Sequence, residues 1–139
     1  MKKEAFTLVE IIVVLFILAL LTTASFAAFG EVRRQSRDNA RVVAVTQIQT
    51  ALRSYYRDTG SYPTQMVAGS SLNTTSTTYM DQIPFYPQPV DGSCRATTTY
   101  DYYQDNGGSS YHLTFCIGYK TSEVSAGYNT LTPNGIIGP

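Results

Sequence analysis

The sequence predicts an α+β protein in which one long N-terminal helix precedes a small antiparallel β domain. Three observations predict it: an apolar run over Phe6–Phe29, a stretch free of Pro and Gly between Gly30 and Gly60, and an alternating run over Tyr111–Tyr119. A chain of 139 residues accommodates one domain plus an N-terminal segment. The predicted divisions are residues 1–5, 6–29, 30–59 and 60–139.

The apolar run comes first. A helix over residues 6–29 would be about 36 Å long at ~1.5 Å per residue, enough to cross a hydrocarbon core of about 30 Å. Polar and basic residues, MKKEA, precede it, and Glu10 is the one charge inside it. The sequence therefore predicts that this half of the helix is a transmembrane segment.

The second half, residues 30–59, is charged but keeps a helical period. Val45, Ile48, Leu52 and Tyr55 recur at spacings of three and four, which predicts an apolar face packed against the β domain. Gly60 is predicted to lie just past the helix end.

A stripe of arginines lies on the same half of the helix. Arg34, Arg37 and Arg41 recur at spacings of three and four, and we predict that they form a solvated stripe. Asp38 lies within ion-pair range of Arg34 and Arg41.

Residues 60–139 are predicted to form the β domain. The runs Thr97–Tyr103 and Tyr111–Tyr119 flank a turn-rich segment, Gln104–Ser110, and together predict a β-hairpin. A further short strand is predicted around Tyr128–Thr132, and Ser70–Thr78 is predicted to be a polar loop.

Two cysteines, Cys94 and Cys116, lie in this domain. A turn centred near Asp105 would place them opposite each other across the hairpin. We therefore predict a disulfide and an oxidising compartment, with two buried thiols as the alternative. Ten basic and ten acidic residues balance, so nothing in the composition indicates a nucleic-acid partner.

Glu10 places a charge inside an apolar segment, which is energetically unfavourable. An acid in a membrane segment costs about 2.5–3.5 kcal/mol at the bilayer centre. Near one end of the helix it escapes part of that cost, but in a dry bundle of helices it needs a cation.

The string KKEAFTLVE, residues 2–10, leads into the apolar run and resembles the class III leader of type IV pilins and pseudopilins. Their mature chain begins with Phe, continues Thr-Leu-hydrophobic-Glu and enters an apolar helix. The segment IQTALRSYYRDTGSYP, residues 48–63, is similar to the end of the long helix and its exit loop in those proteins. The chain departs from the family pattern at Ala5, where Gly is usual, and at Ala27, where many type IVa pilins have Pro.

The resemblance implies a pilin fold and a structural role without enzymatic activity. A prepilin peptidase would remove residues 1–5 by cutting between Ala5 and Phe6 and would methylate the Phe6 nitrogen. The new α-ammonium group would give Glu10 a cation, either within one chain or on a neighbour displaced along the bundle, and the second pairing would favour one axial stagger. An assembly ATPase and an inner-membrane platform would then build copies of the chain into a helical filament, with Glu10 setting the register. The precursor would lie in the inner membrane and the assembled pilus outside the cell, where it could serve adhesion, motility or secretion.

Other sites are less well supported by the residues. Asp81, Asp91, Asp101 and Asp105 are weak calcium candidates because their spacing follows no ligand pattern; otherwise no metal or cofactor is expected. His112, the single histidine, is predicted to be a surface side chain. No combination of acid, base and nucleophile indicates an enzyme.

Two alternatives stay open. The same leader would serve a pseudopilin of a type II secretion or competence system. A different class is a secreted binding domain with an ordinary signal peptide, cut near Ser25-Phe26-Ala27. Glu10 inside the apolar run counts against an ordinary signal peptide.

Overall fold

The computed structural model describes residues 7–139, with the side chains of residues 24–28 left out. One α-helix, α1, runs Leu8–Thr59, and the remaining elements are short strands and one 3₁₀ turn. Contacts between residues divide the chain into two compact units, the first ending at Arg33 and the second running Arg34–Pro139. The first unit consists of the N-terminal part of α1, and the second holds the rest of α1 and all of the strands.

The C-terminal end of α1 is followed by a glycine, as predicted. Gly60 has a φ of 77°, and its N–H donates to the Tyr56 carbonyl oxygen at 2.8 Å. Glycine adopts this left-handed conformation without the steric cost that a Cβ adds. The predicted helix end at Gly60 is confirmed.

The strands form two antiparallel sheets in the second unit. Strands β1 (Leu72–Asn73) and β2 (Thr78–Met80) make a two-stranded sheet, in the segment predicted to be a loop. The larger sheet has the order β3-β4-β5-β6. Its strands are Asp101–Asp105, Ser110–Ile117, Gly127–Thr132 and Gly135–Ile137.

The predicted hairpin is β3 and β4, joined by a 3₁₀ turn over Asn106–Gly108. Its first strand begins at Asp101 and not at Thr97. The predicted strand near Tyr128–Thr132 is β5, whereas β6 was not predicted. The fold is therefore the predicted α+β architecture, with a long helix packed on antiparallel sheets.

The core lies between α1 and the larger sheet. On the helix the most buried apolar side chains are Val45, Ile48 and Leu52, each at most 1% exposed. Facing them from the sheet are Tyr111, Leu113, Phe115, Ile117 and Leu131. The predicted helix face and the predicted strand alternation are both confirmed, and His112 lies on the opposite, partly exposed face of β4.

Candidate functional site

The start of α1 is capped by a threonine. The Glu10 N–H donates to the Thr7 hydroxyl oxygen at 3.3 Å, and the Ile11 N–H approaches the Thr7 carbonyl oxygen at 3.4 Å. A threonine cap with a glutamate three residues later is the spacing of a capping box. Glu10 also lies in the first helical turn, where the helix dipole favours a negative charge. Glu10 thus stabilises the helix start, in addition to any role between chains.

Residues 8–21 of α1 present an exposed surface that is apolar apart from Glu10. Its large hydrophobic side chains between residues 8 and 21 are 48% to 75% exposed. They are Leu8, Val9, Ile11, Ile12, Val13, Val14, Leu15, Phe16, Ile17, Leu18, Leu20 and Leu21. An exposed apolar surface of this extent is typical of a protein–protein or membrane interaction site.

The hydroxyl groups of this segment bond within the helix. The Thr22 hydroxyl donates to the carbonyl oxygens of Leu18 and Ala19, both at 2.9 Å, and the Thr23 hydroxyl donates to that of Leu20 at 2.8 Å. Both O–H groups are therefore paired within the helix.

Within residues 7–139, no helix meets the length and hydropathy that a membrane crossing requires. The transmembrane segment over residues 6–29 stays a prediction. The predicted cut between Ala5 and Phe6 and the predicted methylation of Phe6 lie outside the described residues.

A second constellation is buried in the other unit, and the sequence predicts only one of its contacts, the proximity of Asp38 and Arg41. Asp38 and Arg41 are both fully buried, and the Arg41 Nη1 atom lies 2.5 Å from Asp38 Oδ1. The backbone N–H groups of Gly118 and Tyr119 also donate to Asp38, at 3.1 and 2.9 Å. The helix is thereby tied to the end of β4.

Arg41 also holds the proline-rich loop. Its Nη2 atom donates to the carbonyl oxygens of Pro87 and Pro89, both at 2.8 Å, and its guanidinium lies 4.8 Å from the centre of the Tyr86 ring. Burial raises the pKa of Tyr86 to about 12, so its hydroxyl stays protonated and donates to the Cys116 carbonyl oxygen.

Asp91 completes the cluster. Arg37 binds both of its carboxylate oxygens, at 2.8 and 2.6 Å, in the bidentate geometry that makes arginine–carboxylate pairs strong. The hydrogen bond from Arg37 holds the pKa of Asp91 below its ordinary value. Arg41 Nη1 lies 3.5 Å from the same carboxylate.

The predicted solvated arginine stripe is therefore wrong for Arg41, which is buried, and for Arg37, which is half-buried and paired. Arg34 alone of the three is exposed, and it donates to the Tyr119 hydroxyl at 3.5 Å. The predicted proximity of Asp38 and Arg41 is confirmed.

The calcium candidates are not brought together. Asp91 is paired with Arg37, and Asp105 lies 2.8 Å from His112 Nδ1. Asp101 accepts a hydrogen bond from the Thr99 hydroxyl, and Asp81 is exposed. In the part of the chain that the structure describes, no group of three or more His, Cys, Asp or Glu could hold a metal ion. These acids do not fit a calcium site.

Cys94 and Cys116 form a disulfide, with their Cα atoms 5.7 Å apart. The predicted placement of the two cysteines opposite each other across the β3–β4 hairpin is wrong, however. Cys116 faces Tyr128 of β5 in the sheet, and Cys94 lies in the loop that precedes β3. The disulfide therefore ties this loop to the sheet and does not cross the hairpin.

Residues 1–26 match the family model of the prokaryotic N-terminal methylation motif. The match is that of a class III prepilin leader, as predicted, and is consistent with a type IV pilin-like or pseudopilin precursor. No curated protein and no solved structure matches the chain significantly.

Proposed function

We propose that this chain, with its prepilin-type methylation motif, is a structural subunit of a type IV pilus-like helical surface filament. It is stored in the inner membrane, loses residues 1–5 and polymerises through its N-terminal helix. It is not an enzyme and needs no cofactor.

The observation that carries the proposal is the exposed surface of residues 8–21, apolar apart from Glu10, within the matched motif. Such a surface is covered by lipid before assembly and by copies of the same helix afterwards. Because lipid and a helix bundle are similarly apolar, transfer between them is near neutral in free energy per CH₂ group. Extraction therefore needs an energy source, which we assign to an assembly ATPase acting with an inner-membrane platform.

Glu10 gives the polymer its register in this proposal. Once a prepilin peptidase has cut after Ala5, Phe6 carries an α-ammonium group that the peptidase methylates. The Glu10 carboxylate of a neighbouring chain, displaced along the bundle, neutralises that group. Since an unpaired charge in a dry bundle costs several kcal/mol, the pairing selects one axial stagger.

A pseudopilin of a secretion or competence system is the second candidate, since the motif is consistent with both. Microscopy of sheared surface material from cells lacking the gene distinguishes them. We expect long fibres in the parent strain, none in the deletion strain and fibres again on complementation. Fibres that persist unchanged in the deletion strain would contradict the pilus assignment, and a secretion defect without fibres in the parent would assign the pseudopilin role.

A further inference from the structure

A polar pocket of about 330 Å³ lies between the larger sheet and the loop that precedes β3. Thr114 of β4 and Tyr128 of β5 line its floor, and the loop after Cys94 forms its wall. Thr114 alternates along the strand with the buried Leu113 and Phe115, so its hydroxyl faces away from the core. The proposed assembly role uses none of these groups.

The pocket is held in shape by hydrogen bonds and by the disulfide. The Tyr128 hydroxyl oxygen accepts from the Arg95 backbone N–H at 3.3 Å and lies 3.3 Å from the Thr98 hydroxyl oxygen. Cys116, the sheet partner of Tyr128, is bonded to Cys94 at the base of the loop. The Tyr128 ring is thus fixed while 42% of the residue remains exposed.

Unused polar groups surround this ring. The Arg95 side chain lines the pocket. Its guanidinium makes no hydrogen bond or ion pair with the described residues, which are 7–139 without the side chains of 24–28. Asp101 uses Oδ1 to accept from the Thr99 hydroxyl at 2.6 Å, which leaves Oδ2 as an acceptor. The Thr97 and Thr114 hydroxyls can each donate and accept.

This set of groups suits one chemical class of ligand. A guanidinium binds a carboxylate through two parallel hydrogen bonds. The threonine hydroxyls and the Asp101 carboxylate can form hydrogen bonds with a ligand that carries several hydroxyl groups. A fixed, half-exposed aromatic ring offers an apolar surface for the C–H face of a pyranose. Small-ligand sites combine such a surface with a few oriented polar groups.

We propose that this pocket binds an acidic saccharide unit. Arg95 holds the sugar carboxylate, Asp101 and the threonines bind its hydroxyl groups, and its ring lies on Tyr128. The binding is independent of whether the chain forms a pilus or a pseudopilus.

To test this, the full chain in detergent micelles is titrated with D-galacturonate, D-galactose and acetate, and binding is measured by ligand-observed NMR. We expect galacturonate to bind at least about 10-fold more tightly than the other two, since only it offers both the carboxylate and the hydroxyls. Arg95→Gln should weaken galacturonate binding by about 10-fold or more, and Tyr128→Ala should also weaken it.

Matched controls are exposed residues outside the pocket, Arg57→Gln at the helix end and Tyr103→Ala on the same sheet face. Both should leave the affinity unchanged. Unaltered binding in Arg95→Gln would overturn the proposal, as would acetate binding as tightly as galacturonate, which would mean a plain anion site. Absence of galacturonate binding to the folded parent chain would overturn it as well.

Discussion

Replacing Glu10 by Gln is expected to abolish filament assembly while leaving membrane insertion intact. The threonine cap uses the backbone N–H of residue 10, so glutamine keeps this cap and removes the carboxylate charge. The Phe6 ammonium of each neighbour would then be buried without a partner, at a cost of about 3–5 kcal/mol. We therefore expect fibre yield to fall at least about 100-fold, measured by immunoblotting of sheared surface material.

Glu123→Gln is the matched control, because Glu123 is an exposed acid of the second unit, outside α1 and the apolar run. Its fibre yield should equal that of the parent, and both variants should be found in the membrane fraction in equal amounts. Normal fibres from Glu10→Gln would refute the register role of this carboxylate.

The second large effect concerns stability. Arg41→Met should lower the free energy of unfolding of the second unit by about 3–5 kcal/mol, because it leaves the buried Asp38 carboxylate without its cation. The carbonyl oxygens of Pro87 and Pro89 also lose their donor. Thermal unfolding of the full chain in micelles, followed by near-ultraviolet circular dichroism, should show a Tm lower by at least about 10 °C.

Arg57→Met serves as the control, since the Arg57 side chain is 77% exposed and its loss should change stability by no more than about 0.5 kcal/mol. The double variant Asp38→Leu, Arg41→Met should recover part of the stability, because it removes the unpaired charge. If Arg41→Met and Arg57→Met unfold at the same temperature, the buried cluster does not stabilise the domain.

The helix and the hairpin could be predicted because their signals are local. Apolar residues at spacings of three and four, the glycine at the helix end and the alternation over Tyr111–Tyr119 each depend on neighbours in the sequence. The leader motif is equally local, and its prediction is confirmed by the family match.

The buried ion cluster could not be predicted in this way. Spacing alone suggested that Arg37 and Arg41 were solvated, because charged residues on a helix usually face water. Their partner Asp91 is 50 or more residues away, in a loop whose path depends on prolines and the disulfide. The same long-range packing moves Cys94 off the hairpin, so the bond could be anticipated but its geometry could not.

The central claim is tested most directly by the mass and N-terminal sequence of the protein recovered from outside the cell. The proposal predicts a chain that begins at methylated Phe6 and retains the whole apolar helix. A chain that begins after residues 24–27 would show an ordinary signal peptide, and would contradict assembly through this helix.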